Sequence, residues 1–207
     1  MGDRVDKHVE EFLKWFAKVA ASKPDLDTIF NLALSGVSRD ELEKLYNARE
    51  IGAVQCLSIY GERRSLLEGS ISAVEIEALV HECRNILKGI VEAIAHLHIT
   101  GAPVPSMDDI KYLQQLAEKG LHPIFCTCAR YRDRVKCTCL RDYTVDDLRK
   151  LPYGEQYLPM LEEDAEYTEV DNVPVLSEEG AEKITRWFMR DARKVVGDKV
   201  LEVEFRV

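Results

Sequence analysis

The sequence lacks long apolar runs and contains little asparagine or glutamine. No uninterrupted apolar segment approaches the roughly 18 residues that a membrane-spanning helix needs, so we expect no membrane association. Asparagine and glutamine occur four times each in 207 residues, while Glu, Lys and Arg are abundant. This bias is typical of proteins from hot environments, whose intracellular members include disulfide-rich examples.

The sequence also lacks the local motifs of several enzyme classes. No phosphate-binding glycine loop, dinucleotide-binding fingerprint or nucleophile elbow is present. The start, Met1 to Arg4, leads into an amphipathic segment, so we expect no secretory signal and a cytoplasmic protein. The net charge of −9 argues against a protein that coats nucleic acid with its whole surface. These absences favour a binding protein over an enzyme.

Four of the six cysteines form two Cys-x-Cys pairs, Cys126 with Cys128 and Cys137 with Cys139, separated by eight residues. Residues two apart on a strand point to the same side, so a hairpin brings four sulfurs together. This predicts a structural zinc site, because four thiolates leave no position for a reacting water. The same hairpin also fits two cross-strand disulfides, Cys126 to Cys139 and Cys128 to Cys137. Reduced cysteines without a ligand are the third alternative.

The four-cysteine segment resembles the SWIM zinc-binding motif, which runs Cys-x-Cys, a variable spacer and then Cys-x-His. Cys126, Cys128 and Cys137 match this motif, and Cys139 stands where the motif has histidine. The resemblance covers residues 126–139 alone. It implies zinc binding and a role in contacting DNA or protein.

Basic residues fill the spacer between the cysteine pairs and extend just beyond it. Guanidinium groups bind phosphates, and an aromatic ring can stack on a base. The predicted nucleic-acid contacts are Arg130, Tyr131, Arg132, Arg134, Lys136 and Arg141. The alternative is a solvated tip, or a tip whose arginines pair with the acidic segment, residues 142–182, which contains thirteen acidic residues and two basic ones.

The hydrophobic pattern predicts an α+β protein in two parts, which could also form one continuous domain. Residues 1–119 are predicted to form a helical bundle. Residues 120–207 are predicted to contain the zinc-stapled hairpin, an acidic connecting segment, a helix from Glu178 and a strand from Val200. The alternating C-terminal strand is expected to pair with the cysteine hairpin.

Five helices are predicted in the first part, the longest of them from Ser72 to about His98. Ser-x-x-Glu capping boxes mark the starts of the third and fourth helices. The predicted helices begin near Val5, Asp25, Ser38, Ser72 and Ser106. Cys56 and Cys83 lie on the apolar faces of the third and fourth helices, where they are either buried thiols or an interhelical disulfide.

The predicted long helix carries two Glu/His pairs at four-residue spacing, Glu77 with His81 and Glu92 with His96. Such pairs can hold a catalytic metal in a helical bundle, and ordinary surface pairing is the alternative.

Three functions follow from these patterns. The first is a non-enzymatic binding or adaptor protein, whose zinc-clamped hairpin presents its basic tip to nucleic acid or to a protein partner. The second is a structural subunit that contacts its assembly through the acidic segment. The third is a helical-bundle metalloenzyme that uses Glu77, His81, Glu92 and His96. No small-molecule substrate is evident from the sequence.

Overall fold

A six-stranded mixed sheet forms the centre of the molecule, with helices packed on both of its faces. The computed structural model describes residues 6–207. The predictions for Met1 to Arg4, and the predicted helix start at Val5, therefore lie outside the described residues. None of the helices in residues 6–207 is both long enough and apolar enough to cross a membrane.

Most helices of residues 6–207 begin at a residue whose side chain caps the first turn. Ser38, Ser106 and Thr144 each accept a bond from the backbone N–H three residues later, and each forms a reciprocal capping box. The helices are α1 (Lys7–Ala20), α2 (Leu26–Leu34), α3 (Arg39–Leu45), α4 (Ile76–His81), α5 (Met107–Glu118), α6 (Val145–Lys150) and α7 (Glu178–Val196). A π-helical turn, Glu82–Ile86, follows α4, and 3₁₀ turns occupy Gly154–Met160 and Gly197–Lys199.

The strands of the main sheet have the order β2-β1-β3-β4-β5-β8. Strands β3 and β4 are parallel and joined through α5, while the other neighbours are antiparallel. The separate β6–β7 pair is a hairpin. The strands are β1 (Ile51–Ser58), β2 (Gly61–Glu68), β3 (Ile90–His98), β4 (Ile124–Arg130), β5 (Arg134–Leu140), β6 (Tyr167–Val170), β7 (Val173–Leu176) and β8 (Val200–Arg206).

The sheet separates two hydrophobic clusters. One lies between the sheet and α1, α2 and α3, and the other packs against α4, α5, α6 and α7. Strand β3 shows the division most clearly: Ala93, Ala95 and Leu97 belong to the first cluster, and Ile94 belongs to the second. Because side chains alternate along a strand, His96 and His98 share the face of Ile94.

The predicted helical bundle in residues 1–119 is wrong, because three strands of the sheet lie within it. The third helix ends at Leu45, and the predicted capping box at Ser72 is not formed, since α4 begins at Ile76 without a side-chain cap. Residues 90–98 form β3, a central strand that is mostly buried. A nearly continuous apolar run satisfies helical spacing as well as strand burial, so the periodicity could not distinguish the two.

The elements predicted after residue 120 agree with the structure. The cysteine hairpin forms β4 and β5, α7 begins at Glu178, and β8 pairs with β5. Residues 153–174, which belong to the predicted acidic connecting segment, contain a 3₁₀ turn and most of the β6–β7 hairpin. The predicted division between residues 119 and 120 falls between α5 and β4, and β4 pairs with β3 in the same sheet.

The predicted zinc site at the four cysteines is wrong, because these cysteines form two disulfides. Cys126 faces Cys139 and Cys128 faces Cys137 in the antiparallel register, with S–S distances of 2.00 and 2.01 Å. Directly opposed residues place their sulfurs close enough to bond. Cys56 and Cys83 form the third disulfide, as one of the alternatives predicted. No free thiolate remains among residues 6–207 to hold zinc.

Candidate metal centre

Two histidines and two carboxylates come together at the end of β3. Gly52 of β1 lies opposite His96 of β3, so Glu50, just before β1, reaches the same end of the sheet. His96 and His98 are two residues apart on the strand and point to one face. Asp109 lies in the first turn of α5, which follows β3 in the chain. We call Glu50, His96, His98 and Asp109 the His–carboxylate cluster.

The loop from β3 to α5 holds Asp109 in place. The backbone N–H and the hydroxyl of Ser106 both donate to Asp109 Oδ2, at 2.9 Å each. In return, Ser106 Oγ accepts from the backbone N–H of Asp109 at 3.1 Å. This capping box fixes the carboxylate at the positive end of the helix dipole, where negative charge is stabilised.

The Asp109 carboxylate lies between the two histidines. Its Oδ1 is 3.2 Å from His96 Nδ1, and its Oδ2 is 3.3 Å from His98 Nε2. On the other side of His96, Nε2 is 2.9 Å from Glu50 Oε2. The four side chains are only 6% to 11% exposed, so the cluster is a nearly buried group of ionisable residues.

His98 has one ring nitrogen directed away from the cluster. Its Nδ1 lies 3.0 Å from the backbone carbonyl of Ala102. A carbonyl oxygen only accepts hydrogen bonds, so in neutral His98 the proton is on Nδ1 and the lone pair is on Nε2. This is how proteins usually orient a metal-binding histidine.

Burial and mutual contact act in opposite directions on the pKa values of the cluster. Burial disfavours the imidazolium of His96, but the carboxylates of Glu50 and Asp109 outweigh burial and raise its pKa to about 10. Burial acts against His98 in the same way, and its contact with Asp109 raises its pKa above the ordinary value. Burial would raise the pKa of Asp109, yet the two histidines hold it well below the usual range. Ionisable groups coupled in this way are typical of functional sites.

The geometry of the cluster suits a small divalent cation. Ligands about 2.0 Å from a tetrahedral zinc ion lie about 3.3 Å apart. The contact of Glu50 Oε2 with His96 Nε2, 2.9 Å, is close to this spacing. Glu50, His96 and His98 also each present a ligand atom within 4.8 Å of the others. Imidazole and carboxylate ligands are those of catalytic zinc sites.

The His–carboxylate cluster lies at a cavity of about 830 Å³. One wall is formed by residues 72–78, which lead into α4, and the opposite wall includes β7 and the 3₁₀ turn around Glu155. Apolar side chains form much of this lining: Val74, Ile76, Val104, Leu158, Pro174 and Leu176. The cavity is large enough to admit part of a substrate.

The structure does not bring together the predicted metalloenzyme set. Glu77 and His81 lie on α4, whereas Glu92 and His96 belong to β3. Glu92 accepts a hydrogen bond from Gln55 at 3.1 Å, and His81 Nδ1 contacts Asn85 at 2.9 Å. Of the four, His96 alone joins the cluster.

The predicted nucleic-acid residues lie at the tip of β4–β5, mostly in contact with acidic or backbone groups. Arg134 and Lys136 both pair with Glu182, at 3.4 and 2.9 Å, and Tyr131 is fully buried. Arg130 donates to the carbonyl of Arg132 at 2.8 Å, and Arg141 donates to the carbonyl of Asp198 at 3.3 Å. The predicted alternative, pairing with the acidic segment, is therefore confirmed for Arg134 and Lys136.

Sequence reasoning missed Glu50, His98 and Asp109. The available signal was His96-Leu97-His98, two histidines at strand spacing, followed by the Ser106-x-x-Asp109 capping box. A helical interpretation of residues 72–98 separated the two histidines by about 200° around the helix and hid this signal. Neither a protein-family model nor a curated protein matches the chain.

Proposed function

We propose that this protein is a metal-dependent hydrolase that cleaves amide bonds. In this proposal Glu50, His96 and His98 hold a divalent ion, with zinc as the first candidate, and Asp109 acts as the general base. The observation that carries the proposal is the His–carboxylate cluster itself, four nearly buried ionisable side chains at a cavity. Three protein ligands leave an open position for water, as catalytic zinc sites require. This site is distinct from the rejected one at the cysteines.

The contacts of the two carboxylates support different roles for them. Glu50 contacts His96 Nε2, and Glu50, His96 and His98 each present a ligand atom within 4.8 Å of the others, so Glu50 is placed to complete a ligand set. Asp109 contacts His96 through the other ring nitrogen, and its Oδ2 lies 3.3 Å from His98 Nε2. It also lines the cavity. A carboxylate beside the metal but outside its ligand set is the arrangement of the general base in zinc peptidases.

The roles of the residues in catalysis follow from these positions. A zinc ion held by Glu50, His96 and His98 would activate a water and polarise a substrate carbonyl. Asp109 would accept the proton from the attacking water and return it to the nitrogen of the leaving amine. Ser106 keeps Asp109 in position through its two hydrogen bonds, and the Ala102 carbonyl keeps His98 Nε2 available.

Two other classes of metal-dependent reaction have less support. Zinc deaminases of nucleobases use cysteine ligands, and all six cysteines here are in disulfides. Enzymes of phosphoryl transfer place Lys, Arg or several metal ions around the phosphate. In residues 6–207 the cavity is lined by neither Lys nor Arg. Cleavage at a carbonyl carbon therefore remains the best-supported reaction.

Metal analysis combined with peptide hydrolysis tests the proposal. Purified protein is expected to bind one zinc per chain and to cleave members of a pooled library of quenched fluorescent peptides. His98→Ala is expected to lose both metal and activity. His8→Asn, which changes an exposed histidine, serves as the matched control and is expected to keep both. A wild-type protein that binds no metal, or a His98→Ala variant that still hydrolyses peptides, would overturn the proposal.

A further inference from the structure

The cavity above the His–carboxylate cluster is acidic well beyond the cluster itself. Four more carboxylates line it: Glu75 and Glu77 on the α4 side, and Asp108 and Glu155 near the start of α5. All four residues are exposed. No Lys or Arg side chain lines the cavity in the described part of the chain. A substrate must therefore approach through a field of one sign.

Of these four carboxylates, three form no ion pair with a cationic side chain within residues 6–207. Asp108 pairs with Lys111 at 3.2 Å, but no ion pair within residues 6–207 involves Glu75, Glu77 or Glu155. Glu155 accepts weak hydrogen bonds from the backbone N–H of Met107, at 3.2 and 3.3 Å.

The cation next to the cavity wall is itself neutralised. The guanidinium of Arg39 donates to Ser72 at 3.4 Å, and it also pairs with Glu43 at 3.3 Å. It therefore adds little positive charge to the field inside the cavity.

Such a field discriminates strongly between substrates. A cleft lined with charge of one sign focuses the potential and concentrates ligands of the opposite sign. A phosphate or a carboxylate beside Glu75, Glu77 and Glu155 would be repelled, whereas the charges of Glu50 and Asp109 are offset by the two histidines and the proposed metal ion. A lysine or arginine side chain would be attracted, and its aliphatic stem could lie along apolar wall residues such as Val74 and Leu158.

We propose that the substrate is a polypeptide segment with a lysine or arginine side chain next to the scissile amide bond. This inference rests on the proposed hydrolase function. Glu75, Glu77 and Glu155 determine the specificity, because they line the cavity from two separate segments and have no cationic partner among residues 6–207. They select the substrate by its charge and take no part in the chemical step.

Matched peptides test the selection in two independent ways. The first measures hydrolysis by wild-type protein of quenched peptides that differ at one flanking position, which is Lys, Gln or Glu. We expect kcat/KM for the Lys peptide to exceed that for the Glu peptide by at least about tenfold, within the range known for charged clefts. The advantage is expected to shrink as salt is added. The second measures binding of the same peptides by fluorescence anisotropy with the metal chelated, so that no cleavage occurs.

Charge-neutral variants identify the residues responsible. The triple variant Glu75→Gln, Glu77→Gln, Glu155→Gln is expected to lose most of the preference for Lys while still cleaving the Gln peptide. The control is Glu11→Gln, Glu118→Gln, Glu169→Gln, which removes the same charge from exposed positions outside the cavity. Equal binding of the Lys and Glu peptides, or a preference that survives in the triple variant, would overturn the inference. Charge-selective binding without any cleavage would instead contradict the hydrolase proposal, while supporting the selection of a cationic polypeptide segment by Glu75, Glu77 and Glu155.

Discussion

The two faces of the sheet carry two groups of reactive side chains, and their surroundings give them opposite roles. On the face that packs against α1, α2 and α3, four cysteines from β4 and β5 bond to each other and are fully buried. On the other face, the His–carboxylate cluster lies at an open cavity. The cysteines are bonded to one another as disulfides and are not free thiols, whereas the histidines and carboxylates can still bind a ligand.

The two groups also differ in how the chain assembles them. The four cysteines lie within fourteen residues and face each other across one hairpin. The His–carboxylate cluster combines residues from 50 to 109 and depends on the β1–β3 register and on the start of α5. The group that is conspicuous in the sequence therefore stabilises the fold, while the dispersed group has the chemistry of an active site.

The four hairpin cysteines and the His–carboxylate cluster are expected to differ most in how their substitution affects catalysis. Asp109→Asn removes the proposed base but keeps the shape of the side chain, so we expect activity to fall by about 10²- to 10⁴-fold. Metal content should stay at one ion per chain, because Asp109 is not in the proposed ligand set. Peptide hydrolysis and elemental analysis on the same sample measure both effects. Loss of the metal in this variant would show that Asp109 is a ligand, and the roles of Glu50 and Asp109 would have to be exchanged.

Removing a hairpin disulfide is expected to lower the stability of the protein and to leave its catalytic activity unchanged. The double variant Cys126→Ala, Cys139→Ala opens a link between residues 13 apart in sequence. Because the intact Cys128–Cys137 disulfide already closes the hairpin inside this link, the free energy of unfolding should fall by about 2 kcal/mol. The metal content and kcat of the folded protein should not change, because the disulfide lies on the other face of the sheet. Urea unfolding and elemental analysis provide the measurements. A folded variant that loses its zinc would contradict the independence of the two faces.

Local patterns predicted the hairpin well and predicted β3 badly, for one physical reason. The hairpin is specified by neighbours in sequence: alternating residues, a short polar tip and cysteines in facing positions. Strand β3 is specified by burial on both faces, which makes its sequence apolar almost throughout and removes the alternation that identifies a strand. The error at β3 then hid the candidate site, because His96 and His98 are on the same side only in a strand.

Gly89 offers a direct test of this part of the fold. A Cβ at this position would lie 2.6 Å from Cys56 Sγ and 2.7 Å from the Leu57 carbonyl oxygen, so Gly89→Ala should cost about 1–3 kcal/mol of stability. In the helix that the sequence predicted, the same change would stabilise by up to about 1 kcal/mol. Thermal unfolding shows whether Gly89→Ala stabilises or destabilises the protein. Gly89→Val should destabilise further, and a stabilised Gly89→Ala variant would contradict the strand arrangement.

The smallest predicted effect concerns Asp147, a carboxylate outside both groups that anchors β8 beside the hairpin. Burial would raise the pKa of Asp147, but its bonds with Lys199 at 2.7 Å and with Thr144 lower it below the ordinary value of 3.8. A lowered pKa means that the folded state favours the ionised form. This stabilisation is present above the ordinary pKa and is lost as the pH falls through the folded-state value.

Asp147→Asn should therefore cost about 1 kcal/mol at neutral pH, and the cost should disappear in acid as the pH falls below the folded-state pKa of Asp147. Asp146→Asn is the matched control, because this neighbouring carboxylate is 69% exposed and pairs with Lys150 within one helix. Its loss should change stability very little. Urea unfolding of both variants at a series of pH values provides the comparison. A cost for Asp147→Asn that persists unchanged in acid would mean that the amide disturbs the cap itself, since the charge of Asp147 would then contribute nothing to holding β8.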